Sequence, residues 1–167
     1  MSMDFNRRFL EAWDIISAIV PVDLQTAANN GDWVNMSKVH RLVCVLFKKA
    51  GTAGDDPVFT LNQATDNADG NVKGLNFTEI WSKVGTLTSI GTWTKTTQAA
   101  ANTYTDLVSA EAQAIIAVEV LPTMLDMANG FNHVQLVIPD TGSNAQIGCG
   151  FYLAGKKYLD NVNSLLD

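Results

Sequence analysis

Short runs of β-branched and aromatic residues follow one another from residue 20 onward, separated by turns rich in Gly, Asn, Asp and Thr. Asn, Asp and Gly tolerate the left-handed backbone conformations of tight turns, so such turns separate strands. About nine short strands at this spacing favour a sandwich or a barrel over any α/β fold, and the fold class predicted is a mainly β, jelly-roll-like β-sandwich. The predicted strands are Val20–Gln25, Trp33–Met36, His40–Lys48, Val58–Gln63, Glu79–Thr86, Thr92–Thr97, Ala114–Val120, Phe131–Ile138 and Gln146–Ala154.

Two of these strands indicate how the sheets are covered. The last strand alternates in the manner of a sheet that packs on a core by one face. The strand His40–Lys48 is apolar on both faces, so either it is a central strand covered on both sides or its outer face meets another protein. In the last strand one face comprises Ile147, Cys149, Phe151 and Leu153, and the other Gln146, Gly148, Gly150 and Tyr152.

The N-terminal segment Asp4–Ile19 has a helical pattern instead. Apolar residues recur at spacings of three and four, which predicts an amphipathic helix that ends at Pro21. This helix either covers an open end of the sandwich or is an arm that docks on a neighbouring subunit. The chain is therefore divided into a helical extension, residues 1–19, and a single sandwich domain, residues 20–167. The apolar stripe comprises Phe5, Phe9, Trp13 and Ile16.

Charge and hydropathy exclude several classes of function. The net charge is −6, and the densest basic clusters are pairs of residues, which argues against binding to nucleic acid. The apolar runs are far shorter than the roughly 20 residues that cross a bilayer. The first residues lack the pattern of a signal peptide, so we expect a protein that is not secreted. Cys44 and Cys149 are then expected to be buried thiols, although a disulfide between adjacent strands is the alternative.

No arrangement of residues typical of catalysis is found in the sequence. His40 and His133 lack the spacing of a zinc site, and there is neither a paired-cysteine motif nor a Gly-x-Ser-x-Gly motif. The segment Asp66–Asn71 offers oxygen ligands for calcium but lacks the closing glutamate of an EF-hand loop, so a plain β-turn is favoured. We therefore predict a protein that is not an enzyme and has no cofactor or metal.

Large aromatic residues are the remaining candidates for binding. Trp33, Trp81 and Trp93 could form a platform on which sugar rings stack, as in carbohydrate-binding modules. Large aromatics are more commonly core residues or anchors of protein interfaces. The core or interface interpretation is favoured, and a glycan-binding β-sandwich remains an alternative.

Three segments resemble small structural proteins of tailed-phage virions. The first is VDLQTAANNGDWV, residues 22–34, and the second is FKKAGTAGDDP, residues 47–57, followed by Phe59–Leu61. The third is Asn129–Phe131, which continues to Asn144–Cys149. These segments are strands and turns, so they indicate family and fold and no catalytic site.

The resemblance implies a virion component assembled in the host cytoplasm. Its expected role is that of a capsid decoration (cement) protein, a homo-oligomer that binds the major capsid protein lattice and stabilises the head. The alternative is a neck, tail or head-fibre-base protein. No nucleic-acid or membrane partner is expected. The residues expected to contact neighbouring proteins are Phe5, Phe9, Trp13, Ile16, Trp33 and Phe59.

Overall fold

The computed structural model describes residues 8–105, 112–140 and 142–157, which form two antiparallel sheets around one core. The predicted β-sandwich is therefore confirmed. The large sheet has the spatial order β1 (Trp13–Asp23), β12 (Ile147–Lys156), β4 (Val39–Lys48), β10 (Gln113–Val120), β7 (Phe77–Gly85) and β8 (Thr94–Ala101). The small sheet has the order β2 (Asn29–Asn30), β11 (His133–Ile138), β5 (Val58–Ala64) and β6 (Lys73–Gly74), while β3 (Val34–Asn35) pairs with β11 and β9 (Thr103–Thr105) with β5.

The order of the strands is that of a jelly roll. Four strands of the large sheet belong to the jelly roll, in the spatial order β1, β12, β4 and β10. The facing strands of the small sheet are β2 with β3, then β11, β5 and β9. Eight strands shared in this way between two sheets are typical of jelly rolls. The hairpin β7–β8 lies between β5 and β9 in sequence and extends the large sheet beyond β10.

The core is built from alternate residues of each strand. In β4, Leu42, Cys44 and Leu46 point inward and are completely buried. They share one apolar cluster with Phe59 and Leu61 of the small sheet. Because side chains alternate along a strand, the intervening residues of β4 lie on the outer face of the large sheet.

Tyr152 of β12 joins the two sheets. Its buried hydroxyl accepts a hydrogen bond from the backbone N–H of Leu136 at 2.8 Å and donates one to the carbonyl of Asp32 at 2.9 Å. A Cβ at Gly31 would lie 2.8 Å from this hydroxyl and 2.9 Å from the Leu136 carbonyl oxygen. The segment of residues 22–34 therefore needs glycine at position 31, since a side chain there would push the strands apart.

The inward face of β12 carries two of its glycines, Gly148 and Gly150. A Cβ at Gly148 would lie 2.6 Å from Cδ1 of Leu24, and a Cβ at Gly150 would lie 2.9 Å from Cδ2 of Leu136. Leu24 and Leu136 are fully buried, so the glycines leave room for them. The opposite face, which holds the larger apolar residues of this strand, consequently points away from the core.

The predicted N-terminal helix is much shorter in the structure. A single turn, α1 (Phe9–Ala12), is helical, and β1 begins at Trp13. The prediction is therefore wrong for residues 13–19, which pair with β12 in antiparallel register. The β-branched residues Ile15, Ile16 and Ile19 favour this extended conformation. Pro21 lies within β1 because an edge strand tolerates a residue without an N–H.

The boundary predicted between residues 19 and 20 lies inside β1, so residues 13–19 belong to the sandwich. Phe5 lies outside the described residues.

The two cysteines lie on opposite faces of the large sheet. Cys44 is buried on the inner face of β4, and Cys149 is half-exposed on the outer face of β12, where it pairs in register with Phe47. Both thiols are free, because side chains on opposite faces of one sheet cannot form a disulfide. Burial raises the pKa of the Cys44 thiol far above its ordinary value. The expectation of buried thiols is thus confirmed for Cys44 and only partly met by Cys149.

Candidate functional site

The outer face of the large sheet is apolar over much of its width. One row of side chains on this face crosses all six strands, because residues paired directly across antiparallel strands point to the same side. Sheets that face water on one side normally carry polar residues there. This face therefore differs from an ordinary solvated surface. The row runs Ser17, Phe151, Val45, Ala117, Trp81 and Lys95.

One half of the outer face is aliphatic and phenylalanine-rich, and we call it the aliphatic patch. Ile15 pairs in register with Leu153, and Phe47 pairs with Cys149. Phe47 and Ile147 are 43% and 45% exposed, values that leave a large part of each side chain in water. β4 is a central strand of the large sheet, as one of the two interpretations predicts, and on its outer face Val45 is buried while Phe47 is only partly covered by the described residues. The patch comprises Ile15, Phe47, Ile147, Cys149, Phe151 and Leu153.

An aromatic stack borders the aliphatic patch at the β1 edge. The ring of Phe9 stacks on Trp13 at 5.9 Å, and Trp13 meets the ring of His40 edge-on at 5.8 Å. Trp13 is half-buried, while Phe9 and the neighbouring Leu10 are exposed. Two of the predicted contact residues, Phe9 and Trp13, are therefore placed where they extend this patch.

Three other residues were predicted to contact neighbouring proteins, and they lie in or against the core instead of on the outer face. Ile16 is partly buried and packs against the core. Trp33 is buried and donates from Nε1 to Oδ1 of Asp69 at 2.8 Å, and Phe59 is completely buried, edge-on to Phe77. The prediction that Trp33 and Phe59 lie on a contact surface is corrected, because both are needed inside the sandwich.

The other half of the outer face holds two tryptophans, and we call it the tryptophan site. Trp81 of β7 is 40% exposed and Trp93, just before β8, is 43% exposed. Two cavities of about 250 and 300 Å³ share Trp81 and Glu119 in their walls. The larger one also reaches Trp93, and the smaller one reaches Glu79. Trp33 is not part of this site.

Charged side chains surround the tryptophan site and are held by one another. Arg41 pairs with Glu119 at 2.9 Å, and Lys95 pairs with Glu79 at 2.7 Å. The ammonium of Lys95 also lies 5.7 Å from the centre of the Trp81 ring, a distance that permits a cation–π interaction. These pairs are exposed, so they position side chains more than they stabilise the fold.

Lys83 holds the remaining tryptophan in place. Its ammonium lies 5.0 Å from the centre of the Trp93 ring and donates to the carbonyl of Ile90 at 2.8 Å. The loop that carries Trp93 is also attached to β10, because the backbone N–H of Leu87 donates to the Gln113 side chain at 2.7 Å. Both tryptophans are thus fixed by contacts with the large sheet.

The acidic loop at residues 66–71 is organised as a turn. Oδ1 of Asp66 accepts the backbone N–H groups of Ala68 and Gly70, and these bonds lower the pKa of Asp66 below its ordinary value. Asp69 and Asn71 have positive φ angles, which these residue types tolerate. Across residues 8–105, 112–140 and 142–157 no group of three His, Cys, Asp or Glu side chains is arranged to hold a metal ion.

The two histidines lie in different sheets, His40 in β4 and His133 in β11. Nδ1 of His40 lies 3.2 Å from the carbonyl oxygen of Lys156. His133 is buried in the small sheet, with Nδ1 at 2.6 Å from the side-chain oxygen of Asn132. Each ring is held by its own strand neighbours, on a different sheet.

The segments that carry the resemblance meet at one end of the sandwich. Oδ1 of Asp23 accepts the backbone N–H of Gln146 at 2.8 Å, and the Gln146 side chain donates to the carbonyl of Lys49 at 2.8 Å. Asn144 donates to the Asp55 carboxylate from its backbone and side chain, which lowers the pKa of Asp55. These polar residues hold the ends of β1, β4 and β12 together, so their role is structural.

No family model and no curated protein matches the chain. A search of solved structures finds similarity to the CBM22-1 and GH10 modules of the N-terminal part of endo-1,4-β-D-xylanase 10B from Clostridium thermocellum, complexed with xylohexaose. The TM-score is 0.36 and the identity 13%, over 96% of this chain and 28% of that chain. This similarity is too low to assign a family or a function. Over the part of the chain that the structure describes, no helix has the length and hydropathy to span a bilayer.

Proposed function

We propose that the chain is a structural protein of a tailed-phage virion, a capsid decoration protein that docks on the major capsid protein lattice and stabilises the head. Its role is to add contacts between capsid subunits, without catalysing a reaction. The observation that carries the proposal is the exposed aliphatic patch on the outer face of the large sheet. The resemblance of the three segments to virion proteins supports the same role.

The composition of the aliphatic patch fits docking on a protein. The centres of stable interfaces are depleted in charged residues and enriched in aromatic ones, and the energy concentrates in a few buried anchors. Phe47 and Ile147 are half-exposed anchors of this kind, and Phe9 lies at the border of the patch. A surface of roughly 800 Å² on each partner is the usual size of a specific interface.

Binding of many copies over a capsid lattice would let an interface of modest affinity stabilise the whole shell. Each copy that bridges two capsid subunits adds its binding free energy to the association of those subunits, by simple mass action. Occupancy by many copies then raises the temperature at which the shell opens. The proposal therefore predicts a stabilising effect on particles that depends on the aliphatic patch.

The test uses phage particles that lack this protein, to which purified protein is added back. Wild-type protein is expected to bind the particles and to restore their resistance to heat. Phe47→Glu places a charge in the centre of the patch and is expected to weaken binding at least about thirtyfold, as the loss of about 2 kcal/mol at an interface anchor would. Binding is measured by co-sedimentation, and the folding of each variant by circular dichroism.

Val72→Glu is the matched control. Val72 is 44% exposed, like Phe47 at 43%, but it precedes β6 at the edge of the small sheet. This variant is expected to bind and protect as the wild type does. Equal binding by the folded Phe47→Glu variant would contradict the assignment of the aliphatic patch, and unchanged heat resistance on add-back of wild type would contradict the decoration role.

The number of copies per particle separates the decoration role from the neck, tail and head-fibre-base alternatives. Quantitative mass spectrometry of purified particles is expected to give a number comparable with that of the major capsid protein. A number near that of the portal or tail proteins would place the chain in the neck or tail instead.

A further inference from the structure

We infer that the tryptophan site binds a linear oligosaccharide of at least two pyranose rings. This site lies on the same sheet as the aliphatic patch, but at its opposite end. Phe151 and Trp81 belong to one row of the outer face and are separated by three strand-to-strand steps, about 14 Å in all. The inference does not depend on docking to a capsid.

The indole rings supply the apolar part of such a site. Each of Trp81 and Trp93 exposes about two fifths of its surface on the outer face. The face of an indole ring is electron-rich, while the C–H groups on one side of a pyranose ring carry a small positive charge. A sugar ring can therefore pack flat on an indole and keep its hydroxyls at the rim.

The ion pairs supply the polar part of the site. Sugar hydroxyls both donate and accept hydrogen bonds, so they are recognised by side chains of both kinds. Glu119 and Glu79 offer carboxylate oxygens, while Arg41 and Lys95 offer donors, and each acid is paired with one of these bases. The charges of these two pairs cancel, and Lys83 beside Trp93 adds a single positive charge, so the site lacks the cluster of basic residues that a polyanion requires.

The two cavities indicate the length of the ligand. Trp81 and Glu119 line both, so they lie where the cavities adjoin. Each cavity is an open depression of about 250 or 300 Å³, at or just below the lower end of the range for small-ligand sites. A chain of two or more rings that crosses Trp81 would fill both, whereas a monosaccharide would fill only one. We therefore expect affinity to rise from monosaccharide to oligosaccharide.

The test measures binding of full-length protein to cellohexaose, maltohexaose, chitohexaose and glucose, by calorimetry and by quenching of tryptophan fluorescence. At least one hexasaccharide is expected to bind about tenfold more tightly than glucose, and Trp81→Ala is expected to weaken that binding at least about tenfold. Trp93→Ala should weaken it less, because Trp93 lines only one cavity.

Trp13→Ala and Phe47→Glu are the controls. Trp13 is a half-buried tryptophan of the same sheet at the β1 edge, and Phe47 lies in the aliphatic patch, so both variants should bind the hexasaccharide like wild type. The inference is overturned if no hexasaccharide binds at about 10 mM, or if folded Trp81→Ala binds it as tightly as wild type. It is also overturned if Trp81→Ala impairs only add-back to particles, since the site would then be part of a protein interface.

Discussion

The buried hydroxyl of Tyr152 allows a quantitative test of how the two sheets are joined. Tyr152→Phe removes one oxygen and leaves the ring in place. The backbone N–H of Leu136 then loses its acceptor at 2.8 Å, and the carbonyl of Asp32 loses its donor at 2.9 Å. A buried polar group left without a partner costs roughly 1–3 kcal/mol. Leu136 is completely buried and bears the full penalty, whereas Asp32 is exposed and its carbonyl can bond to water, so the two losses should together lower the free energy of unfolding by about 2–4 kcal/mol.

Equilibrium unfolding in urea measures this loss directly. For a domain of this size, each kcal/mol corresponds to about 2–4 °C in Tm, so a decrease of roughly 4–16 °C is also expected. The m-value should stay constant, because the surface exposed on unfolding hardly changes. Amide exchange at Leu136 should accelerate more than at neighbouring residues of β11.

Phe151→Tyr is the matched control for this prediction. Phe151 precedes Tyr152 in β12 but lies half-exposed on the outer face, where an added hydroxyl reaches water. This variant is expected to change the free energy of unfolding by less than about 0.5 kcal/mol. If Tyr152→Phe also changed it by less than about 0.5 kcal/mol, the hydroxyl would not join the sheets in the way described.

Two further predictions concern the core. Gly150→Ala places a Cβ 2.9 Å from Cδ2 of the fully buried Leu136. This overpacking should lower the free energy of unfolding by about 1–3 kcal/mol, as measured by thermal unfolding. An unchanged free energy would mean that the core adapts freely to the added methyl group. Burial raises the pKa values of the Cys44 thiol and the Tyr152 phenol above their ordinary values of 9.0 and 10.0, so the unfolded chain ionises first. Stability is then complete below about pH 9 and declines as the pH rises further; denaturation from about pH 8 to about pH 11 should show this decline, and a flat profile would refute it.

The sequence predicts the main strands well where alternation and turns agree. The predicted strand His40–Lys48 differs by one residue from β4, and Gln146–Ala154 differs by one or two residues at its ends from β12. The strands β2, β6 and β9, of two or three residues, were missed because they are too short to show a period.

The N-terminal error has a specific cause. Phe9, Trp13 and Ile16 have the spacing of a helical stripe, but their partners in the structure are other aromatic rings and the core. The run of β-branched residues from Ile15 to Val20 was the better signal, since it favours a strand. The prediction gave more weight to the helical spacing of the apolar residues than to the strand propensity of the isoleucines. In the structure, pairing with β12 makes residues 13–19 a strand.

Alternation divides a strand into two faces without telling which one is inside. In β12 the outer face carries Ile147, Phe151 and Leu153, while Gly148, Gly150 and Tyr152 point inward. Trp81 was named from the sequence as a candidate for binding, and its exposure follows from Glu79 and Lys83, which share its face and mark that face as exposed. The burial of Trp33 could not be found in this way, since its partner Asp69 is distant in sequence.

The difference between the two halves of the outer face has a physical consequence for what can cover them. At the tryptophan site, the pairs Arg41–Glu119 and Lys95–Glu79 keep polar groups beside the indoles, so the surface stays hydrated and suits a ligand rich in hydroxyls. In the aliphatic patch, Phe47 and Ile147 offer no hydrogen-bonding group to water. Covering that half by another apolar protein surface gains free energy in proportion to the area removed from water, at about 25 cal/mol per Å². The partner proposed for the aliphatic patch is therefore a protein surface, whichever ligand the tryptophan site binds.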